Sequence, residues 1–147
     1  ISASLYLRGV ELDPALVSKM LGVEPDKSQY RGERQSGANG RVYVRKIGLW
    51  SLQSRTVLLP EPEQERYEIS DHIEDVLSRV TFSRKELDGI PGLEDVYFDI
   101  FVGGATDERG DGDCGFLLEP HHVLKLANLG VEVRVTVSLS GKQLQLR

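Results

Sequence analysis

Period-two alternation marks both ends of the chain. In SASLYLR at 2–8, Ala3, Leu5 and Leu7 alternate with Ser2, Tyr6 and Arg8. That pattern predicts a strand with one buried face. Near the other end Val131, Val133, Val135, Val137 and Leu139 alternate with Glu132, Arg134, Thr136 and Ser138, which predicts a second such strand. Between them VYFDIFV at 96–102 is almost continuously apolar, the mark of a strand inside a sheet. Helical spacing appears in three places. Asp13-Pro14 opens a helix whose buried stripe is Leu16, Val17, Met20 and Leu21, and Gly22 suits its left-handed stop. Ile69, Ile73, Val76, Leu77 and Val80 lie on one face of the next. Pro120 starts the last, and Gly130 ends it. Ser83 with Glu86 offers a capping box for a further short turn.

The segment 24–40 carries turn chemistry throughout (EPD, RGE, SGANG) and reads as loop, with strands expected at 41–47 and 48–54. A Gly/Asp loop covers 103–115, and the tail after Gly141 reads as frayed or an edge. The expected order is β-α-β-β-α-β-α-β. This is an α+β fold in which helices pack on one face of a largely antiparallel sheet. Two segments echo each other: LYLRGVELDPALVSKMLGVEP and FLLEPHHVLKLANLGVEV each run through acid–Pro, a helix and LGVE. They read as two related β-α-β halves, with duplication and shared capping chemistry both open as the cause.

At 147 residues the chain is most simply a single domain, 1–147, large enough for a real core. No apolar run approaches the roughly 20 residues that span a bilayer, so no membrane partner is expected. Cys114 is alone, which excludes an intrachain disulfide framework and fits a cytoplasmic setting. The chain begins at Ile1 with no visible signal peptide, and residues upstream of Ile1 are not excluded.

Charge changes the picture by its distribution. The net charge of -5 argues against general nucleic-acid binding. Yet residues 27–46 hold Lys27, Arg31, Arg34, Arg41, Arg45 and Lys46 against Glu33 alone, a local +5. Residues 61–75 hold Glu61, Glu63, Glu65, Glu68, Asp71, Glu74 and Asp75 against Arg66 alone. Mutual neutralisation of the two segments is the plainest expectation.

Candidate chemistry centres on the basic segment. Tyr30, Arg31 and Arg34 lie among glycines and serines, and arginine forks suit carboxylate or phosphate. Trp50 follows on the next strand, either as an aromatic platform beside them or as a core residue with a hydrogen-bonded indole. No nucleotide-binding glycine fingerprint is present. Asp107, Glu108, Asp111 and Asp113 lack calcium-loop spacing. His121 and His122 are adjacent, so their side chains diverge by about 100° on a helix and do not form an i, i+4 zinc pair. Asp113 disfavours a Cys114 thiolate. No metal or cofactor is expected.

The motif order resembles the bacterial domain-of-unknown-function family 4279. The acid–Pro helix ends in LGVEP at Leu21–Pro25, a basic loop carries Arg31-Gly32-Glu33, and GLWSL follows at Gly48–Leu52. The likeness runs over nearly the whole chain, although TVSLS stands where the family pattern ends in acidic and aromatic residues. The resemblance implies a small cytoplasmic bacterial protein with no established activity, and hints at immunity proteins that neutralise toxins. The leading expectation is a non-catalytic binding module for an acidic protein partner or an anionic small molecule, using Tyr30, Arg31, Arg34 and Trp50. A metabolite sensor is the alternative, and a hydrolase built on His72 or His121 is the third reading. Exposed strand edges also allow a homodimer.

Overall fold

A computed structural model of the chain describes residues 1–55, 68–106 and 116–141. The described elements run β1 (Ser2–Gly9), α1 (Pro14–Leu21), β2 (Lys27–Gln29), β3 (Arg34–Ser36), β4 (Val42–Val44), β5 (Gly48–Gln53), α2 (Ile69–Ser78), α3 (Arg84–Asp88), β6 (Asp95–Thr106), α4 (Pro120–Leu129) and β7 (Glu132–Gly141). The fold is α+β, as the periodicities require. One sheet has the order β2-β5-β1-β6-β7, and β3 and β4 form a separate two-stranded sheet.

The main sheet is mixed. β1 pairs antiparallel with β5 and β6, β2 pairs antiparallel with β5, and β7 runs parallel to β6. Register carries the alternation of β1 across the sheet: Leu5 sits between Leu52 and Phe98, and Leu7 between Trp50 and Val96. Ala3, Leu5, Leu7, Trp50, Leu52, Phe98, Ile100 and Val102 form the buried floor of the core. Val17 and Leu21 of α1, Ile69, Ile73, Val76 and Leu77 of α2, and Leu126 and Leu129 of α4 close it from above. The opposite face is polar and carries a stacked pair, Tyr6 on Tyr97 at 5.1 Å, with the Arg134 guanidinium 3.7 Å from the Tyr97 ring centre.

The two echoing segments share topology as well as capping. β6-α4-β7 is a parallel β-α-β unit of adjacent strands. β1 and β2 are each antiparallel to β5, so β1-α1-β2 is also parallel, with β5 inserted between its strands. Both helices carry proline in the first turn and stop at a left-handed glycine, Gly22 at φ 69° and Gly130 at φ 63°. The Asp13 carboxylate accepts from the amides of Ala15 and Leu16, as the sequence anticipates. The capping box of Ser83 and Glu86 likewise opens α3.

Three expectations need correction. The segment 24–40 is not all loop: Lys27–Gln29 adds an edge strand to β5, and Arg34–Ser36 pairs with Val42–Val44. The strands expected at 41–47 and 48–54 therefore belong to different sheets. Met20 is exposed and Leu16 only half-buried, because the eight-residue helix buries only Pro14, Val17 and Leu21. Val133, Val135 and Val137 share the helix side of the sheet with Phe98, Ile100 and Val102, yet they are 39–51% exposed. β7 is an edge strand, and the helix layer is centred on β5, β1 and β6. The Gly/Asp loop, with Asp107, Glu108, Asp111, Asp113 and Cys114, lies outside the described residues, as does the tail after Gly141.

Close backbone approach explains two glycines. A Cβ on Gly9 would stand 1.8 Å from the Gly92 carbonyl oxygen, and one on Gly48 would stand 2.1 Å from that of Leu12. These contacts bring the ends of β1 and β5 against their neighbouring loops, and β5 leads on to Trp50.

Candidate functional site

The basic segment is built as an arm. After Asp26 the chain pairs briefly with β5, then turns at Arg31-Gly32, where Gly32 takes φ 82°. The Glu33 carboxylate accepts from the Tyr30 amide, which ties the turn. Amide and carbonyl groups of Gly32, Glu33 and Arg45 continue the ladder of β3 and β4 to the root of the hairpin. At the tip Gly37 and Arg41 close the turn, Asn39 accepts from the Arg41 amide, and the Tyr43 ring lies against Gly37.

Register then sorts the side chains of the arm. Arg34 faces Val44 and Ser36 faces Val42, so Arg34, Ser36, Val42 and Val44 share one face, while Gln35 and Tyr43 share the other. Every residue of both strands is exposed, Val42, Tyr43 and Val44 by 60%, 50% and 56%. A lone two-stranded ribbon has no core of its own, and three consecutive large apolar residues in water mark an interaction surface. Arg45 is held by Gln35. Arg34, Arg41 and Lys46 make no ion pair among the described residues.

Two clefts flank β2. One, of about 330 Å³, lies between α1 and the arm root and is lined by Pro14, Ser18, Lys19, Glu24, Ser28 and Tyr30. The other, of about 250 Å³, lies between β2 and the hairpin and is lined by Lys27, Ser28, Gln29, Glu33, Arg34 and Arg45. The structure thus separates the residues that the sequence groups. Tyr30 belongs to the first cleft and Arg34 to the second. Arg31 pairs with Glu11 on the loop before α1 and anchors the turn.

Trp50 is fully buried and offers no face to a ligand. It meets Phe82 edge-on at 6.4 Å, and its indole N–H donates to Ser18 Oγ at 3.0 Å. Its place in the site is beneath it: it holds Ser18, a wall of the first cleft. The core role wins because no other side chain here buries as much apolar surface.

The expected neutralisation of the two charged segments takes another form. Among the described residues, no ion pair joins 27–46 to 68–75. Instead Asp26, just ahead of β2, accepts from Arg79 at 2.5 Å, from the Gln53 amide at 2.8 Å and from Arg55 at 3.4 Å. Burial raises its pKa, but the Gln53 amide, Arg79 and Arg55 outweigh burial and leave it below 3.8. Arg79 also bonds the Gln53 carbonyl and lies 3.5 Å from the Asp75 carboxylate. The root of the arm is thereby clamped to β5 and α2.

The histidines lie elsewhere. His72 is buried in α2, with Nδ1 2.9 Å from Ser54 Oγ. Burial lowers its pKa against the opposing pull of Asp71 and Asp75. His121 and His122 both approach Glu74, which their adjacency in sequence did not suggest. No helix among the described residues is long and apolar enough to cross a membrane.

Sequence reasoning found the charge of the arm but missed Val42, Tyr43 and Val44. The signal was there: VYV flanked by arginines, after a Gly-Ala-Asn-Gly turn, with no apolar run opposite to bury it. No curated protein and no solved structure matches the chain. A family model matches residues 1–140, a span that takes in both β-α-β units, the arm and the tryptophan beneath its root. The chain belongs to the family described as Domain of unknown function (DUF4279).

Proposed function

We propose that the chain is a non-catalytic binding module that grips an acidic protein partner with the β3–β4 arm. One observation carries the reading: Arg34 shares an exposed face with Val42 and Val44, and neither Arg41 nor Lys46 makes an ion pair among the described residues. An apolar strip supplies contact area, and the flanking cations supply steering and register. An immunity-type role, blocking an acidic surface of another protein, is the sharper form of this reading. The clamp at Asp26 supports it, since a fixed root lowers the entropy lost on docking.

The test is a triple charge reversal, Arg34→Glu, Arg41→Glu and Lys46→Glu, beside Val44→Asp. Crosslinking and pull-down from the native host should recover an acidic partner with the wild-type chain. Each variant should lose about 2–4 kcal/mol of binding, roughly 30- to 1000-fold in Kd. The melting temperature should hardly move, because these side chains are exposed. Wild-type binding should also weaken with added salt. A partner retained by both variants overturns the arm as the contact.

A second reading rests on the cleft of about 330 Å³, where Lys19, Ser18, Ser28 and Tyr30 converge. It is suited to an anionic small molecule. A thermal-shift screen against anionic metabolites separates the readings. A rise lost in Lys19→Ala but kept in Arg34→Ala favours a sensor; no rise leaves the protein partner.

A further inference from the structure

α2 and α4 lie side by side in the helix layer, and their facing positions carry Glu74, His121 and His122. His122 Nε2 is 2.8 Å from Glu74 Oε2, and His121 Nε2 is 3.5 Å from the same oxygen. On a regular helix adjacent side chains diverge. Here both histidines occupy the first turn after Pro120, with ring centres 4.0 Å apart and planes tilted by 49°, and both rings reach the same carboxylate. One nitrogen from each ring and a carboxylate oxygen lie within 4.8 Å of one another. Three ligands around a tetrahedral zinc ion stand about 3.3 Å apart, given bonds near 2.0–2.1 Å. The two distances to Glu74 bracket that spacing.

We propose that Glu74, His121 and His122 form a binding site for a divalent transition-metal ion of the zinc class. Imidazole and carboxylate without thiolate suit such an ion. Two histidines and a glutamate leave a fourth position for water. Glu74 and His121 are more than half exposed, so that position faces solvent.

Two further features bear on the site, one in its favour and one as a cost. His121 Nδ1 is 3.4 Å from Glu119 Oε2. A ring nitrogen that ligates a metal leaves its other N–H in need of an acceptor, and a carboxylate in that place orients the ring. His122 is 2% exposed, and its Nδ1 has no hydrogen-bond partner among the described residues. Burying an imidazole with one nitrogen unmatched is costly. Ligation at Nε2 places the ring proton on that unmatched Nδ1 and replaces the 2.8 Å contact with Glu74, a cost the metal bond has to outweigh. The positive end of the α4 dipole lies in the same turn and opposes a cation, and Glu74 and Glu119 counter it. The site is remote from the arm in sequence and shares no residue with it, so it stands or falls independently of partner binding.

The experiment uses the full chain without a histidine tag, stripped with a chelator. Zn²⁺ is titrated by calorimetry and Co²⁺ by visible absorption. One equivalent of either ion should bind, with the Co²⁺ spectrum of a four- or five-coordinate centre. His121→Ala and Glu74→Gln should each weaken binding at least about 100-fold, and Glu119→Gln about 10- to 100-fold. Zn²⁺ should raise the melting temperature of the wild-type chain, because the ion joins α2 to α4, and should not raise that of His121→Ala. The altered side chains are largely exposed, and circular dichroism checks their folding. Failure of the wild-type chain to bind stoichiometric Zn²⁺, or wild-type affinity retained in His121→Ala and Glu74→Gln, overturns the site.

Discussion

Trp50→Ala should cost about 3–5 kcal/mol of unfolding free energy, the range for truncating a buried aromatic. The ring is fully enclosed, pairs with Leu7 across the sheet and meets Phe82 edge-on. Its removal opens a cavity under α1 and deprives Ser18 Oγ of the indole donor. Urea denaturation followed by far-UV circular dichroism measures the loss. Trp50→Phe separates the two contributions. It keeps most of the apolar area but not the N–H, and should cost about 1–2 kcal/mol of hydrogen bonding and repacking. Under conditions where Trp50→Phe stays folded, its affinity for the partner of the arm should match wild type. A cost below about 1 kcal/mol for Trp50→Ala would mean that the ring is a surface platform after all.

That contrast shows what the sequence could and could not reveal. Strands and helices that carry the core announce themselves, because burial imposes a period. The alternation of Ala3, Leu5 and Leu7 gives β1, and the spacing of Ile69, Ile73, Val76 and Leu77 gives α2. Capping is legible for the same local reason, as at Asp13, Ser83, Gly22 and Gly130. The arm was legible as charge and as one strand, since β4 falls within the strand expected at 41–47, but not as a two-stranded ribbon. Its strands are three residues each and bury nothing, so no period marks them, and turn-rich sequence around them reads as loop. The depth of Trp50 was open because a tryptophan in GLWSL fits a buried row and a half-exposed one equally. Only register against Leu7 decides it. The gathering of Glu74 with His121 and His122 joins positions nearly fifty residues apart, as Glu74 and His122 are by 48. No local pattern encodes that meeting. It follows from the parallel crossover that lays α4 beside α2.

The valines of β7 expose a limit of pattern reasoning. Val133, Val135 and Val137 have the alternation of a buried face, and they do point to the helix side. Alternation fixes which side a residue faces but not whether anything covers it. Coverage depends on where the helices end, and the helix layer is centred on strands other than β7. The same reasoning separates Val42 and Val44 from core valines: their ribbon has no opposing layer at all.

Arg79→Ala should cost about 2–3 kcal/mol and loosen the arm at its root, although Arg79 lies far from the arm in sequence. Its guanidinium joins the Asp26 carboxylate and the Gln53 carbonyl, both at 2.5 Å, and lies 3.5 Å from Asp75. Removing it leaves Asp26 three-quarters buried without its closer ion-pair partner, since the side chains of Arg79 and Asp26 are only 15% and 22% exposed. Breaking a fully buried pair costs about 3–5 kcal/mol, and partial solvent access lowers that figure here. Arg79→Lys should recover only part of the loss, because an ammonium cannot span a carboxylate and a carbonyl as a planar fork does. The clamp also predicts a pH dependence. Asp26 has its folded pKa held below the value of 3.8 it has when free, so its contribution is complete above 3.8 and is lost as pH falls through the lower folded value. The stability difference between wild type and Asp26→Asn, from urea curves, should therefore be full at neutral pH and shrink in acid. A difference that grows in acid would reverse the sign assigned to this group. The functional consequence follows from position: Asp26 directly precedes β2, so a broken clamp frees the strand that carries the arm. Arg79→Ala should weaken partner binding while leaving every arm side chain in place, which makes it the test of whether the arm works as a fixed edge or as a flexible loop.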